Sequence, residues 1–94
     1  MNRINEFNLE PGTYQHYKGG IYVVTDIATH MENPESQKME PLLDPLVVYR
    51  DVEAIVRHVN GRLMVAHQVY LRKLSEFTAT VSHNDNVVKR FTKI

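Results

Sequence analysis

Ninety-four residues with eleven basic and eleven acidic side chains make one small domain, and the absence of cysteine excludes a disulfide framework and a thiolate metal site. Zero net charge leaves no global field to steer the chain to nucleic acid or anionic lipid. No apolar stretch approaches the length of a membrane-crossing helix.

The N-terminal Met1-Asn2-Arg3-Ile4-Asn5-Glu6-Phe7 lacks the apolar region of a secretion signal. A cysteine-free chain also suits a reducing compartment, so a cytoplasmic location is expected. Residues 1–11 form a polar lead-in anchored by Ile4 and Phe7, and Pro11-Gly12 closes it with turn chemistry. Thr13–Tyr17 and Ile21–Ala28 are predicted strands of a first hairpin. Lys18-Gly19-Gly20 joins them, because glycine supplies the positive φ of a tight turn. Residues 31–45 then hold three prolines and four acids, a composition that resists helix and ladder alike. A long acidic loop is predicted there, mobile over 31–40.

Residues 46–74 admit two readings. Val52, Ile55, Val56 and Val59 have helical spacing, with Asp51 as a cap and Asn60-Gly61 as a stop. Asn60-Gly61 is also a strong hairpin signal. A two-residue turn there pairs Val59 with Arg62, Val56 with Val65, Val52 with Val69 and Arg50 with Leu71. That register sorts Val48, Val52, Ala54, Val56, Leu63, Val65, Val69 and Leu71 onto one face. Asp51, Glu53, Arg57, Gln68, Tyr70 and Arg72 fall on the other, as half-buried antiparallel strands require. The β-branched run favours strand as well. A long hairpin is therefore predicted, with its valine face inward. Phe77–Val81 is a further predicted strand, Ser82–Asn86 a turn, and Val87–Ile94 a last strand. The expected fold is all-β: a small antiparallel sheet, an SH3-like partly open barrel with one long hairpin and little or no helix.

Tyr14, His16 and Lys18 alternate along one strand and share a face, as do Tyr49 and Asp51, while Arg50 faces the other way. Hydroxyl, imidazole and guanidinium donors beside aromatic rings suit an anionic or aromatic ligand. The competing account is a solvated sheet face with cross-strand pairs, and a structural Arg50 salt-bridged to Glu76 or Asp26. Histidines 16, 30, 58, 67 and 83 fall in no metal-binding motif. No serine sits in a nucleophile elbow. Neither metal, cofactor nor catalysis is expected. Acid concentrates between Asp26 and Glu53, whereas Arg72, Lys73, Lys89, Arg90 and Lys93 make the C-terminal third basic. There Tyr70, Phe77 and Phe91 interleave with the cations, as in single-strand nucleic-acid binders.

Five blocks carry a resemblance. They are Gly12-Thr13-Tyr14-Gln15-His16-Tyr17-Lys18-Gly19, Ile27-Ala28-Thr29-His30, Leu46-Val47-Val48-Tyr49-Arg50, the pair Arg72 and Phe77, and Arg90-Phe91 with Ile94. In this order, over about half the chain, they resemble the small bacterial family called domain of unknown function 1653. Tyr70 and Lys73 stand where that family has Trp and Pro, and Lys89 replaces a Pro. The segments at 31–45 and 51–68 are longer than in the family. The resemblance implies a small all-β fold and a set of polar positions, and no activity. Residues and resemblance together put forward Tyr14, His16, Lys18, His30, Tyr49, Arg50 and Arg72 as ligand-binding candidates. The expected function is non-enzymatic binding of a small anionic or nucleotide-like ligand, or of a peptide. The alternatives are a homo-oligomeric scaffold acting through the two long segments, and a single-stranded nucleic-acid binder.

Overall fold

A computed structural model describes residues 7–94 of the chain. Ile4 of the expected lead-in lies outside them. The fold is all-β. A five-stranded antiparallel sheet in the order β6-β3-β2-β1-β9 curls into a half-barrel, and two short hairpins, β4–β5 and β7–β8, stand apart from it.

β1 (Gly12–His16) and β2 (Ile21–Asn33) form the first predicted hairpin, with Tyr14 opposite Tyr22. Gly19 takes φ 107° in the turn, where its N–H donates to the His16 carbonyl at 2.7 Å. β2 does not stop at Ala28. It runs on to Asn33 and pairs with β3 (Lys38–Asp51), placing Met31 opposite Glu40 and Glu32 opposite Met39. Residues 31–45 are thus a projecting hairpin tip rather than the predicted loop. The prolines are accommodated because Pro34 lies in the turn, Pro45 falls where the ladder is interrupted between Ala28 and His30, and Pro41, opposite His30, lies where β3 has no partner on its other side.

Strand wins over helix in residues 51–59. β4 (Ile55–Val59) and β5 (Arg62–Ala66) turn at Asn60-Gly61, with φ 51° and 76°, and pair Val59 with Arg62 and Val56 with Val65 as predicted. The hairpin is not continuous, however. β6 (Val69–Lys73) returns to β3 with Arg50 opposite Val69 and Val48 opposite Leu71. Four residues separate Arg50 from Ile55 and only two separate Ala66 from Val69, so the register slips by two and Arg50 does not meet Leu71. The expected dry face is also wrong: Val52, Val56, Leu63, Val65, Val69 and Leu71 are exposed. Tyr70 instead packs against the core, beside Tyr49.

The inner face is selected by large aromatics. Leu9, Tyr14, Val24, Ile27, Val47, Tyr49, Phe77 and Phe91 form the buried cluster, with Phe7, Tyr22, Tyr70 and Leu74 packed around it. Aromatic side chains remove more surface from water than valines do, so the face that holds them wins. Phe77 comes from a single helical turn, α1 (Leu74–Phe77), where Phe77–Ala79 were expected to be strand. The Asp44 carboxylate accepts the Ser75 N–H at 3.2 Å and the Ser75 hydroxyl, and Thr78 Oγ1 donates to the Leu74 carbonyl at 2.9 Å. These bonds hold the turn as a plug over the sheet. β7 (Thr80–His83) and β8 (Asn86–Lys89) flank an Asn84-Asp85 turn, and β9 (Phe91–Lys93) pairs with β1.

Candidate functional site

Directly opposed residues of antiparallel strands share a face. The pairs His16–Phe91, Tyr14–Tyr22, Val24–Tyr49, Tyr49–Tyr70 and Val47–Arg72 therefore bring one continuous face together from all five strands of the main sheet. Its floor is aromatic. Phe91 stacks on Phe77 with centroids 4.0 Å apart and planes at 8°. Tyr22 sets its ring edge-on to Tyr49 at 5.4 Å, to Tyr70 at 5.8 Å and to Phe91 at 6.1 Å.

Cations gather at the Phe91 end. The Arg72 guanidinium carbon lies 5.8 Å from the Phe91 ring centroid, and Arg72 Nε donates to the Tyr49 hydroxyl at 3.4 Å. His16 meets Phe91 edge-on at 5.0 Å and leans on Tyr17 at 4.5 Å. The Lys18 backbone N–H donates to His16 Nδ1 at 3.1 Å. That bond makes Nδ1 an acceptor, so the neutral ring carries its proton on Nε2. Lys18 Nζ stands 5.7 Å from the Tyr17 ring. Arg90 is pinned from both sides: its Nε donates to the Glu76 carbonyl at 3.0 Å and its carbonyl accepts the Tyr17 N–H at 2.9 Å.

The grouping has an electrostatic consequence. Partial burial lowers the His16 pKa below its usual value, and the charges of Arg72, Lys18 and Arg90 lower it further. Among the described residues, the only cation–carboxylate pair within 4 Å is Lys93–Glu10 at 3.7 Å, at the Tyr14 end of β1. Arg72 and His16 thus have no acidic partner within 4 Å among the described residues. Among the described residues no three His, Asp or Glu side chains converge as metal ligands would.

The predicted site residues divide. His16, Lys18, Tyr49 and Arg72 come together. Tyr14 does not join them: it is buried edge-on to Phe77, and its hydroxyl donates to the Glu10 carbonyl at 2.6 Å. Burial, then the Glu10 charge, push its pKa up. His30 is exposed on β2 opposite Pro41, with Nδ1 2.8 Å from Thr29 Oγ1. Arg50 points to the other face, where its Nη1 donates to the Asp51 carbonyl at 3.2 Å and lies 3.1 Å from His67 Nδ1. Neither Glu76 nor Asp26 pairs with it. The site also recruits Tyr22 and Tyr70, which were not among the candidates, and Arg90 and Phe91, seen in sequence only as part of a basic-aromatic stretch. Arg90-Phe91 lay inside a recognised block, and Tyr22 follows the first turn with strand periodicity. Those signals were available.

Two concavities adjoin this face. One of about 500 Å3 sits at the root of β4 and is lined by Ile21 and Asp51 to Ile55. The other, about 360 Å3, is bordered by Leu9, Tyr14, Phe77, Phe91 and Lys93. Between sheet and root, Tyr70 holds the Asp51 carboxylate with a 3.1 Å hydrogen bond and also contacts Gln68.

A family model described as protein of unknown function (DUF1653) matches residues 12–93, from β1 to β9, and so contains every residue of the face. No curated protein and no solved structure matches the chain.

Proposed function

The chain belongs to the DUF1653 family, whose description assigns no activity, and from the geometry of its own side chains we propose that it is a non-enzymatic module binding a small anionic, nucleotide-like ligand. The observation that supports this most directly is Arg72. Arg72 is half-buried, its guanidinium set over the Phe91 ring and bonded to one hydroxyl, with no carboxylate within 4 Å among the described residues. Desolvated guanidinium groups are stable when an oxyanion satisfies their donors. His16, Lys18 and Arg90 add positive potential at the same place. A phosphate on Arg72 and His16 Nε2 would leave the attached ring beside Tyr22 and Tyr70, within reach of stacking. The groups present donate protons or carry charge, and among the described residues no carboxylate lies within 4 Å of His16 to orient it as a general base. Binding without reaction is the chemistry they supply.

Native mass spectrometry of freshly purified protein tests for a retained ligand. An NMR titration then compares inorganic phosphate, nucleoside monophosphates and short oligonucleotides. Monophosphates should shift the His16 and Tyr22 signals. Arg72→Ala should weaken them by about 10- to 150-fold, the equivalent of one charge-assisted hydrogen bond of roughly 1.5–3 kcal/mol. No shift at His16 with any anion would refute the proposal. Tighter oligonucleotide binding with a steep salt dependence would favour a single-stranded nucleic-acid binder instead, for which the cations and aromatics sharing this face also provide support.

A further inference from the structure

The β2–β3 tip and the β4–β5 hairpin are two arms at opposite ends of one strand. β3 begins at the β2–β3 tip and ends at the bend that leads into β4. Its 14 residues span about 45 Å at roughly 3.3 Å per residue. The arms of one chain are therefore held apart by the length of the molecule, whose longest extent is 48 Å.

Each arm carries exposed apolar side chains on both of its faces, and among the described residues no further strand pairs with it. β4–β5 is a sheet of two strands with no third neighbour. Val56, Val59, Leu63, Met64 and Val65 are exposed on it, Val65 at 67%. A lone two-stranded hairpin is marginal in water and gains stability from a third surface. At the other end Met31, Met39 and Leu43 are exposed, Met39 at 65%.

The arms are also opposite in charge. Residues 55–66 carry Arg57, Arg62 and His58 and no acid. The tip, residues 31–40, carries Glu32, Glu35 and Glu40 against Lys38 alone. With histidine neutral the sums are +2 and, from three acids less one base, −2. An exposed basic apolar ribbon and an exposed acidic apolar tip on the same chain, unable to meet each other, fit a second copy.

We propose that the chain forms a two-fold dimer in which the β4–β5 ribbon of each copy docks on the acidic β2–β3 tip of the other. Two-fold symmetry makes both contacts at once and closes the assembly, whereas a head-to-tail arrangement would leave arms free for a filament. Apolar contacts supply the burial, and the charges fix which arm meets which.

Charge exchange tests this with the full chain. One variant carries Arg57→Glu and Arg62→Glu, the other Glu32→Lys and Glu35→Lys. All four positions are exposed. Light scattering of the wild type should give twice the 10.9 kDa chain mass. Each variant alone should dissociate at least roughly tenfold more readily, because like charges then face each other at both contacts. An equimolar mixture should recover dimers, since each heterodimer pairs an acidic surface with a basic one at both contacts. Recovery also shows that both variants are folded. A wild type that stays monomeric to about 100 μM overturns the proposal, that being a weak limit for a specific dimer. So does a dimer that neither variant weakens, or a mixture that remains monomeric.

Discussion

Phe77→Ala is the perturbation that most directly tests how the half-barrel is held. Phe77 is 1% exposed, stacks on Phe91 at 4.0 Å, and receives the edges of Tyr14 at 5.4 Å and Tyr49 at 5.6 Å. Truncating a buried phenylalanine to alanine costs about 3–5 kcal/mol, transfer and cavity together. At about 0.05–0.15 kcal/mol per residue, a 94-residue domain has a total of roughly 5–14 kcal/mol. The variant should therefore lose about a fifth or more of its stability and melt at least about 12 °C lower, at roughly 4 °C per kcal/mol. Urea unfolding reads the change through tyrosine fluorescence, since the chain has five tyrosines and no tryptophan. Phe77→Leu should recover most of the loss. A double-mutant cycle with Phe91→Leu should show a coupling of about 0.5–1.5 kcal/mol for the stacked pair. A cost below about 1 kcal/mol for Phe77→Ala, the size of an ordinary substitution, would refute the plug role of α1.

His16 should titrate below the usual 6.5 by NMR, and Arg72→Ala should move it up by removing the largest of the three charges beside it. Because its folded pKa is depressed, stability from this group is fully present above pH 6.5 and is lost as pH falls through the folded value, where the unfolded ring has already taken its proton. Inorganic phosphate should raise the same pKa if it occupies the site. Arg50→Ala should leave anion binding intact in that titration, since its guanidinium engages the Asp51 carbonyl and His67 on the opposite face. The hydrogen bond from the Ser75 hydroxyl is the main reason the Asp44 pKa is lowered, ahead of the Ser75 N–H and the Lys73 charge. Its contribution is present above the ordinary carboxylate value and lost as pH falls through the lowered one, so Ser75→Ala should flatten the acid limb of the pH–stability curve.

Local chemistry was legible in the sequence wherever a backbone requirement met a residue that satisfies it. Gly19 and Asn60-Gly61 announced their turns because positive φ is open to few residues, and the β4–β5 register followed from the two-residue turn alone. The β-branched runs excluded helix for the same local reason. What escaped the sequence was which face of each strand lies inside. Alternation on β6 offered Val69 and Leu71 as the buried set, and the molecule buries towards Tyr70 and Arg72, because Phe77, on the helical turn that follows β6, and Phe91, from the last strand, cover that side. Tyrosine is ambiguous in sequence for a physical reason: Tyr14 is a core residue whose hydroxyl finds the Glu10 carbonyl, while Tyr22, with the same chemistry, is only partly buried at the margin of the core. The two-residue slip between β4–β5 and β3–β6 depends on the bend at 52–54, which no pairing rule contains. Arg72, His16 and Arg90 come from three separate segments, and only the closing of β9 against β1 puts their charges within reach of one another.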